Sequence, residues 1–409
     1  MNRREREQQN AVRPRGCPPQ KRAAFTLVEL LVAMTVVTLI LLLTVEMTNN
    51  VSALSNRTRA RVETFQESRA AFESMTRKIS QSMLNTYWDY DYPGGNTASA
   101  PSAYARQSQL HFICGPAKNG DSSGQLLKSV ATLQTTTHAL FFQAPQGYSA
   151  PPSSSTQPKI APNLASLLNA SGYYIDYASD KNDRPNFLKA SSGGNVPPER
   201  LRFRLMELEE PTESLQIYGD GTPTGASVAT LRKWFLDPVT FSSTQPLPAN
   251  TPLSTRVLAE NVFALVLLPH RSPNDKLPAN LTAPQQLAPA YVYDSRKYLN
   301  SPADPQAKLW RNQLPPIIQV TMVAMDERSA ARFQDSLPSA TSIPETTLGL
   351  DGLFTKPSTD PNVSVTSTTV NDQYFADLAT LEATLVKLKI TYRIFTSDVS
   401  ILQAKWSDN

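Results

Sequence analysis

Residues 21–45 read KRAAFTLVELLVAMTVVTLILLLTV, two basic residues closely followed by a long apolar run. The 21 residues from Phe25 to Val45 carry one charge, Glu29. About 20 mainly apolar residues are enough for a helix to cross a bilayer, so this run predicts a transmembrane segment over residues 25–45. By the positive-inside rule, the basic residues before it predict a cytoplasmic N-terminus and a body on the far side of the membrane.

Two simpler interpretations of this segment are a cleaved secretory signal and a plain signal anchor. A secretory signal has a shorter apolar core followed by a small-residue cleavage site, and no Ala-x-Ala site follows this longer run. A plain anchor has no use for Glu29, because a carboxylate in a membrane helix is costly and normally has a partner. Glu29 therefore favours a helix that assembles with other chains.

Basic residues are concentrated ahead of the apolar run. Residues 1–24 hold seven Arg or Lys and two Glu, a net of +5, whereas the rest of the chain holds 32 basic and 33 acidic residues, a net of −1. A body so close to neutral gives no electrostatic ground for nucleic-acid binding, and no nucleic-acid partner is expected. With 409 residues, 40% apolar and 18% charged, the chain has the composition of a folded protein with a sizeable core.

The stretch KRAAFTLVEL, residues 21–30, resembles the processing site of type IV prepilins and type II secretion pseudopilins. The resemblance implies that residues 1–24 are a leader, that prepilin peptidase cuts between Ala24 and Phe25, and that the new amino group of Phe25 is methylated. It also implies that Glu29, the fifth mature residue, faces the amine of a neighbouring subunit and sets the register of assembly. The family usually has glycine at the position of Ala24, and alanine is the smallest departure from it.

The same resemblance implies a structural role. The expected protein crosses the inner (cytoplasmic) membrane once and holds its head in the periplasm or another extracytoplasmic space. It assembles with other pilin-like subunits into a type II secretion or type IV pilus-like filament. Its expected partners are prepilin peptidase, those subunits and the lipid bilayer. Two alternatives stay open: a minor type IV pilin for adhesion or DNA uptake, and a membrane-anchored periplasmic binding domain or enzyme.

The helix is predicted to continue past the membrane over residues 46–92, because no glycine or proline occurs between Phe25 and Tyr92. Apolar residues recur there at spacings near three, four and seven: Val51, Leu54, Val62, Phe65, Phe72, Met75, Ile79 and Met83. This stripe predicts an amphipathic helix that packs against a sheet of its own body. A coiled coil is the rival interpretation, but Thr58 and Arg69 interrupt the heptad.

Residues 93–409 are predicted to form a globular, β-rich head. Short apolar runs separated by turn-rich segments predict antiparallel strands over residues 109–113, 139–143, 173–177, 201–206, 262–268, 317–324 and 385–395. Short helices are predicted over residues 163–169, 329–334 and 374–381, and loops over 144–162, 238–254 and 335–371. The result is an α+β, pilin-like fold, in which a long N-terminal membrane-spanning helix packs on a C-terminal antiparallel sheet with long loops.

Parts of the head resemble narrower groups within the same family. The runs at residues 258–269 and 314–326 resemble the minor pseudopilin J group, and those at 202–208, 314–326 and 392–406 resemble the family of Verru_Chthon cassette protein C. Once the leader with Cys17 is removed, Cys114 is the only cysteine left, so the C-terminal disulfide of many major pilins cannot form. This favours a minor pilin or pseudopilin over a main fibre subunit.

Residues with catalytic or ligand-binding potential are few. The histidines His111, His138 and His270 are scattered, and no His-x-Glu or Cys-x-x-Cys pattern occurs, so we expect no metal, no cofactor and no enzymatic activity. Cys114 has no basic cluster near it in sequence and is predicted to be a small buried residue.

Two groups of residues, a set of aspartate pairs and an aromatic cluster, are candidates for ligand binding. The carboxylate pairs Asp89 with Asp91 and Asp180 with Asp183 lack the spaced ligand loop of a strong calcium site. Just past the long helix lies an aromatic cluster of Tyr87, Trp88, Tyr90 and Tyr92. We expect these rings to close one end of the core, with a contact surface as the alternative.

Overall fold

A computed structural model describes residues 26–92, 97–117, 125–127, 130, 133–149, 166–181, 184, 188, 198–218, 227–243, 254–271, 287–288, 291–301, 305–337, 344–355 and 367–406. The chain divides into two units, Met1–Arg59 and Ala60–Asn409. The long N-terminal helix α1, Leu27–Ser80, begins in the first unit and ends in the second.

In the first unit, α1 is predominantly apolar, with two carboxylates, Glu29 and Glu46, before residue 56. The stretch Leu27–Asn56, 30 residues, is long and apolar enough to cross a bilayer. None of the side chains in its most apolar window is buried, and Leu31 and Leu42 are typical exposed examples. A helix with apolar side chains all round needs an apolar environment on every side, which a bilayer provides. Length and composition therefore make this stretch a candidate membrane span, which contains residues 27–45 of the predicted segment and extends beyond them.

The end of α1 belongs to the β-rich unit and carries the predicted apolar stripe. Phe65 is half-buried, and Phe72, Met75 and Ile79 are buried. Their three- and four-residue spacings place them on one face of the helix. The ring of Phe72 lies 5.8 Å from that of Phe395, so this face packs on the body.

Helix α1 ends at Ser80, and the predicted continuation to residue 92 is too long. The Ser82 hydroxyl donates to the carbonyl of Ile79. Asn85 then has a φ of 45°, in the left-handed region that interrupts a right-handed helix. Strand β1, Tyr87–Asp91, follows, because alternating aromatic and polar residues suit a strand better than a helix.

Strand β1 pairs with β2, Ala103–Gln107, in a two-stranded antiparallel hairpin. The other strands are β3 Ile113–Pro116, β4 Thr135–Pro145, β5 Leu168–Ser179, β6 Leu201–Glu210, β7 Thr255–Glu260, β8 Val262–His270, β9 Tyr293–Asp294, β10 Ile317–Met325 and β11 Tyr392–Ser400. Six of them form one sheet in the order β7-β6-β5-β4-β3-β9, and three form another in the order β11-β10-β8. Every adjacent pair is antiparallel, as predicted.

The two larger sheets are joined where β4 meets β8. The register of β4 shifts between Thr136 and Leu140, and Thr137 there has a φ of 53°. This irregularity directs side chains of β4 onto the main chain of β8. Leu265 N donates to Thr137 Oγ1 at 2.9 Å, and Leu267 N donates to His138 Nδ1 at 2.9 Å. Backbone donors at the edge of the smaller sheet are thus paired with side chains.

Helices connect and cover the sheets. They are α2 Val228–Ser243, α3 Pro305–Trp310, α4 Glu327–Ser336, α5 Pro344–Thr347 and α6 Ser367–Lys387, with short 3₁₀ turns at Thr212–Ser214, Gln216–Tyr218 and Lys297–Leu299. The predicted helices at residues 329–334 and 374–381 are confirmed within α4 and α6.

Several predicted boundaries are wrong. In the loops predicted at 238–254 and 335–371, residues 238–243 lie in α2, residues 344–347 form α5 and residues 367–371 begin α6, because local helical hydrogen bonding prevails over their Pro, Ser and Thr content. Residues 385–387 belong to α6 rather than to the last strand, since Leu381 and Leu385 are buried at a helical spacing of four. Residues 168–169 lie in β5 rather than in a helix, and residues 163–165 of that prediction lie outside the described residues. The first predicted strand starts at Ile113 rather than at residue 109.

The core of the β-rich unit lies between the sheets and is rich in aromatic rings. Phe141 stacks on Phe235 at a centroid distance of 4.1 Å and meets Trp234 edge-on at 6.3 Å. Phe203 contacts Phe263 and Phe333 at 6.2 Å and 5.8 Å. Burial of these rings stabilises the unit, in which the one cysteine that the structure describes, Cys114, is free. The architecture is α+β, a long apolar helix followed by antiparallel sheets, consistent with a pilin-like fold.

Candidate functional site

Glu29 lies in the first turn of α1, and its side chain is exposed. Its backbone N–H donates to Thr26 Oγ1 at 3.3 Å. Thr26 therefore caps the helix, in the Thr-x-x-Glu pattern known as a capping box. A carboxylate in the first turn also interacts favourably with the helix dipole. Thr26 is a site residue that the sequence reasoning missed, although the Thr-x-x-Glu spacing would have identified it.

Ala24 and Phe25, the residues on either side of the predicted cut, lie outside the described residues. Cleavage between them and methylation of Phe25 stay predictions. Glu29 is placed at the start of α1, four residues after Phe25 in sequence.

Threonines along the apolar part of α1 hydrogen-bond within the helix. Thr35 and Thr38 donate to the carbonyls of Val32 and Met34 at 2.8 and 2.7 Å. Thr44 donates to the carbonyl of Leu41 at 2.9 Å. A hydroxyl without a partner is costly in hydrocarbon, so these bonds make the polar residues of the segment compatible with a membrane.

In the β-rich unit, a charged cluster attaches the end of α1 to β6. Lys78 Nζ lies 2.9 Å from Glu207 Oε1 and 3.2 Å from Glu209 Oε1. Arg256 of β7 contacts the same two carboxylates at 2.7 and 2.9 Å, and the Tyr173 hydroxyl donates to Glu207 at 2.8 Å. Glu207 is fully buried, so its charge depends on these partners.

Electrostatics in this cluster favour the ionised form of Glu207. Burial alone would raise the pKa of the Glu207 carboxyl, but the hydrogen bond and charge of Lys78, with the bonds from Tyr173 and Arg256, lower it below its usual range. Burial and the adjacent Glu207 raise the pKa of Tyr173, which stays a donor. The cluster holds the end of α1 on the sheet.

Two of the three histidines, His111 and His138, are buried and hydrogen-bonded within the body. His111 Nε2 lies 2.8 Å from Asp294, and Trp234 donates to its Nδ1 at 3.1 Å. His138 Nε2 lies 2.6 Å from the carbonyl of Phe354. Burial lowers the pKa of His111 and lowers that of His138 to about 4, so both rings are neutral near pH 7.

Among the described residues, no group of three or more His, Cys, Asp or Glu is arranged to hold a metal. Asp91 pairs with Arg311 at 2.7 Å, and Asp180 pairs with Arg184 at 2.9 Å. Asp183 lies outside the described residues. Cys114 is fully buried, and burial raises the pKa of its thiol far above the usual range, which confirms the prediction of a small buried residue.

The sequence also contains GDSSG at residues 120–124, which has the Gly-x-Ser-x-Gly spacing of some hydrolase nucleophiles. That pattern requires a strand before it and a helix after it to be meaningful. Residues 120–124 lie outside the described residues.

The aromatic cluster after α1 does not close the core, contrary to the prediction. Tyr87, Trp88 and Tyr90 are 49%, 46% and 55% exposed on strand β1. They lie on a hairpin outside both larger sheets, so neither sheet covers them.

Comparison with protein families finds one segment. Residues 19–45 match the family model described as the prokaryotic N-terminal methylation motif. Comparison with curated proteins and with solved structures gives no match. The narrower resemblance of the head to the pseudopilin J group and to Verru_Chthon cassette protein C therefore stays a prediction. The matched segment includes Ala24, Phe25 and Glu29 and covers the whole predicted membrane segment. The chain carries the N-terminal methylation motif that is the signature of type IV prepilins and pseudopilins.

Proposed function

We propose that this chain is a pseudopilin-like structural subunit. Prepilin peptidase removes residues 1–24 and methylates Phe25, and the mature chain assembles through α1 with other pilin-like subunits. The product is a type II secretion or type IV pilus-like filament. The observation that carries the proposal is the methylation motif at residues 19–45, which overlaps an apolar helical stretch of membrane length, Leu27–Asn56.

The physical role of Glu29 follows from the charge that cleavage creates. The new amino group of Phe25 is a cation at the positive end of the α1 dipole, where a cation is disfavoured. Its charge also has to be compensated in apolar surroundings. Glu29 lies near that end of the helix with an exposed side chain. We propose that Glu29 of one subunit pairs with the amine of the next and thereby selects the axial register.

The proposed location follows from the same segment. The mature chain crosses the cytoplasmic membrane once through Leu27–Asn56, and the β-rich unit lies on the extracytoplasmic side. The concentration of basic residues before Phe25 supports this orientation, because positive residues are retained on the cytoplasmic side.

A structural rather than catalytic role is part of the proposal. It is supported by the burial of His111, His138 and Cys114, which leaves none of these three side chains available to a substrate. The near-neutral mature chain likewise supports protein and lipid partners over nucleic acid.

The first prediction concerns the mature N-terminus. Intact-mass analysis of the membrane-extracted protein, produced together with a prepilin peptidase, should give a chain that starts at methylated Phe25. Ala24→Gly should be processed at least as well, whereas Ala24→Val should retain the leader, because a bulky residue is placed beside the scissile bond. A wild-type chain that keeps its leader, or one that is cut after Val45, would contradict the proposal.

The second prediction concerns Glu29. Glu29→Ala should insert into the membrane normally but fail to co-assemble with pilin-like subunits, because the amine of Phe25 loses its partner. Membrane fractionation and subunit cross-linking measure the two properties separately. Glu46→Ala is the matched control, since Glu46 is another exposed carboxylate on the same helix. Unchanged assembly of Glu29→Ala, or equal loss in both variants, would remove the register role.

A further inference from the structure

The β1–β2 hairpin has two unlike faces. Its register places Trp88 opposite Arg106 and Tyr90 opposite Tyr104. Residues directly opposite each other, or two apart along one strand, project from the same face of a sheet. Trp88, Tyr90, Tyr104 and Arg106 therefore share one face, which we call the aromatic face.

Two side chains of the opposite face, Asp91 and Gln107, contact the body. Asp91 pairs with Arg311 at 2.7 Å, and the Arg311 guanidinium lies 4.6 Å from the ring centre of Tyr298. The Tyr298 hydroxyl reaches Gln107 at 3.5 Å, and Asn312 donates to the carbonyl of Arg106 at 2.8 Å. These contacts fix the hairpin in place and leave the aromatic face outward.

The aromatic face is an exposed platform of rings. Trp88, Tyr90 and Tyr104 are 46%, 55% and 61% exposed. Trp88 stacks with Tyr104 at 5.7 Å and an interplanar angle of 21°, and the Arg106 guanidinium lies 5.6 Å from the Trp88 ring centre. A contiguous exposed cluster of large rings is unusual on a protein surface and marks a binding site more often than a single exposed residue does.

Arg106 also lines a cavity of about 180 Å³ beside the hairpin. The cavity contains a second cation, Lys405, and the side-chain amides of Asn85 and Gln403. The amides of Asn312 and Gln313 also line it, but they donate hydrogen bonds within the protein. None of its ten described lining residues is acidic. Two cations favour an anion, and amides, which both donate and accept hydrogen bonds, match hydroxyl groups.

A ligand that fits both the aromatic face and the cavity carries a carboxylate, several hydroxyls and a flat apolar face. A sugar ring offers C–H groups that pack on the electron-rich faces of aromatic rings. A uronic acid adds the carboxylate that the cations of the cavity favour. A free phosphate would leave the rings unused, and an acidic side chain of a peptide lacks the flat face of C–H groups that packs on an aromatic ring. We propose that the aromatic face and the adjoining cavity form a binding site for an acidic saccharide that contains uronic acid units.

The test measures binding of tetragalacturonate to the full-length chain in detergent micelles by isothermal titration calorimetry. Methyl-esterified tetragalacturonate keeps the rings and hydroxyls but lacks the charges, so we expect it to bind at least about tenfold more weakly. Trp88→Ala should weaken tetragalacturonate binding about tenfold, because an aromatic stacking partner is lost. Lys405→Gln should weaken it about fivefold, through the lost charge.

Matched controls remove the same kinds of side chain outside the proposed site. Tyr87→Ala removes an exposed ring from the other face of β1, and Lys387→Gln removes an exposed cation at the end of α6, so both should bind like the unmodified chain. The proposal is overturned if tetragalacturonate does not bind at millimolar concentration, if the ester binds equally well, or if the controls lose as much affinity. Loss of subunit association in Trp88→Ala without saccharide binding would instead assign the face to a protein partner.

Discussion

Replacing Glu207 by alanine should lower the free energy of unfolding by about 4 kcal/mol. The Glu207 carboxylate is fully buried and accepts hydrogen bonds from Lys78, Tyr173 and Arg256 at 2.9, 2.8 and 2.8 Å. Its removal leaves the Tyr173 hydroxyl buried without that acceptor and takes a charge partner from Lys78 at the end of α1. Urea unfolding of the full-length chain in detergent, followed by tryptophan fluorescence, measures the change.

Glu209→Ala is the matched control for that prediction. Glu209 contacts the same two cations, Lys78 and Arg256, but its side chain is 12% exposed and it has no bond from Tyr173. We expect a loss of about 1 kcal/mol, the size usual for a solvent-accessible ion pair. Amide hydrogen exchange over residues 72–79 should also accelerate in Glu207→Ala and change little in the control. Equal losses in the two variants would show that burial of Glu207 does not govern the attachment of α1.

This attachment could not be predicted from the sequence, although the helix could. The apolar stripe at Phe72, Met75 and Ile79 is a local repeat, and a local repeat states that a face is buried. It does not state which surface covers the face. Lys78 and Glu207 lie 129 residues apart, and no local pattern connects them.

Strands were predicted correctly where apolar residues are concentrated. The prediction failed where the apolar positions fit both the two-residue period of a strand and the 3.6-residue period of a helix. β4, β5, β6, β8 and β10 all contain the runs predicted for them. Near residue 385, apolar positions fit the strand period of two as well as the helical period. The structure has a helix there, and Leu381 and Leu385, one helical turn apart, are both buried. Helix α2 was missed because Pro238 lies inside it, and a proline within a helical pattern argues against a helix.

At the candidate site, residue type identified Glu29 from the sequence, but the sequence did not predict which aromatic side chains are exposed. Glu29 stands out because one carboxylate in an apolar run demands an explanation. The aromatic residues Trp88 and Tyr90 stand out equally, but large rings are buried more often than exposed. That tendency gave the wrong expectation, because the β1–β2 hairpin lies outside the two larger sheets.

Gly172→Ala should be the most damaging single-methyl substitution among the described strand glycines, with a loss of about 3 kcal/mol. A Cβ at this position would lie 2.2 Å from Cδ1 and 2.6 Å from Cε1 of Phe141, and 3.0 Å from the carbonyl oxygen of Leu140. The Phe141 ring has little room to move away, because it stacks on Phe235 at 4.1 Å and meets Trp234 at 6.3 Å. A close-packed core cannot absorb such an overlap without shifting these rings. Urea unfolding again measures the loss.

Gly115→Ala is the control that tests whether the loss of stability in Gly172→Ala comes from overlap with the Phe141 ring rather than from an added methyl group in general. Gly115 lies in the same sheet, and its added Cβ would meet Val292 Cγ2 at 3.3 Å, so a small adjustment of Val292 suffices and the loss should stay below about 1 kcal/mol. Combining Gly172→Ala with Phe141→Leu should cost less than the sum of the two single changes, because the smaller side chain removes the overlapping ring atoms. Strict additivity, or a loss in Gly115→Ala as large as in Gly172→Ala, would contradict the explanation that the Phe141 ring requires glycine at position 172.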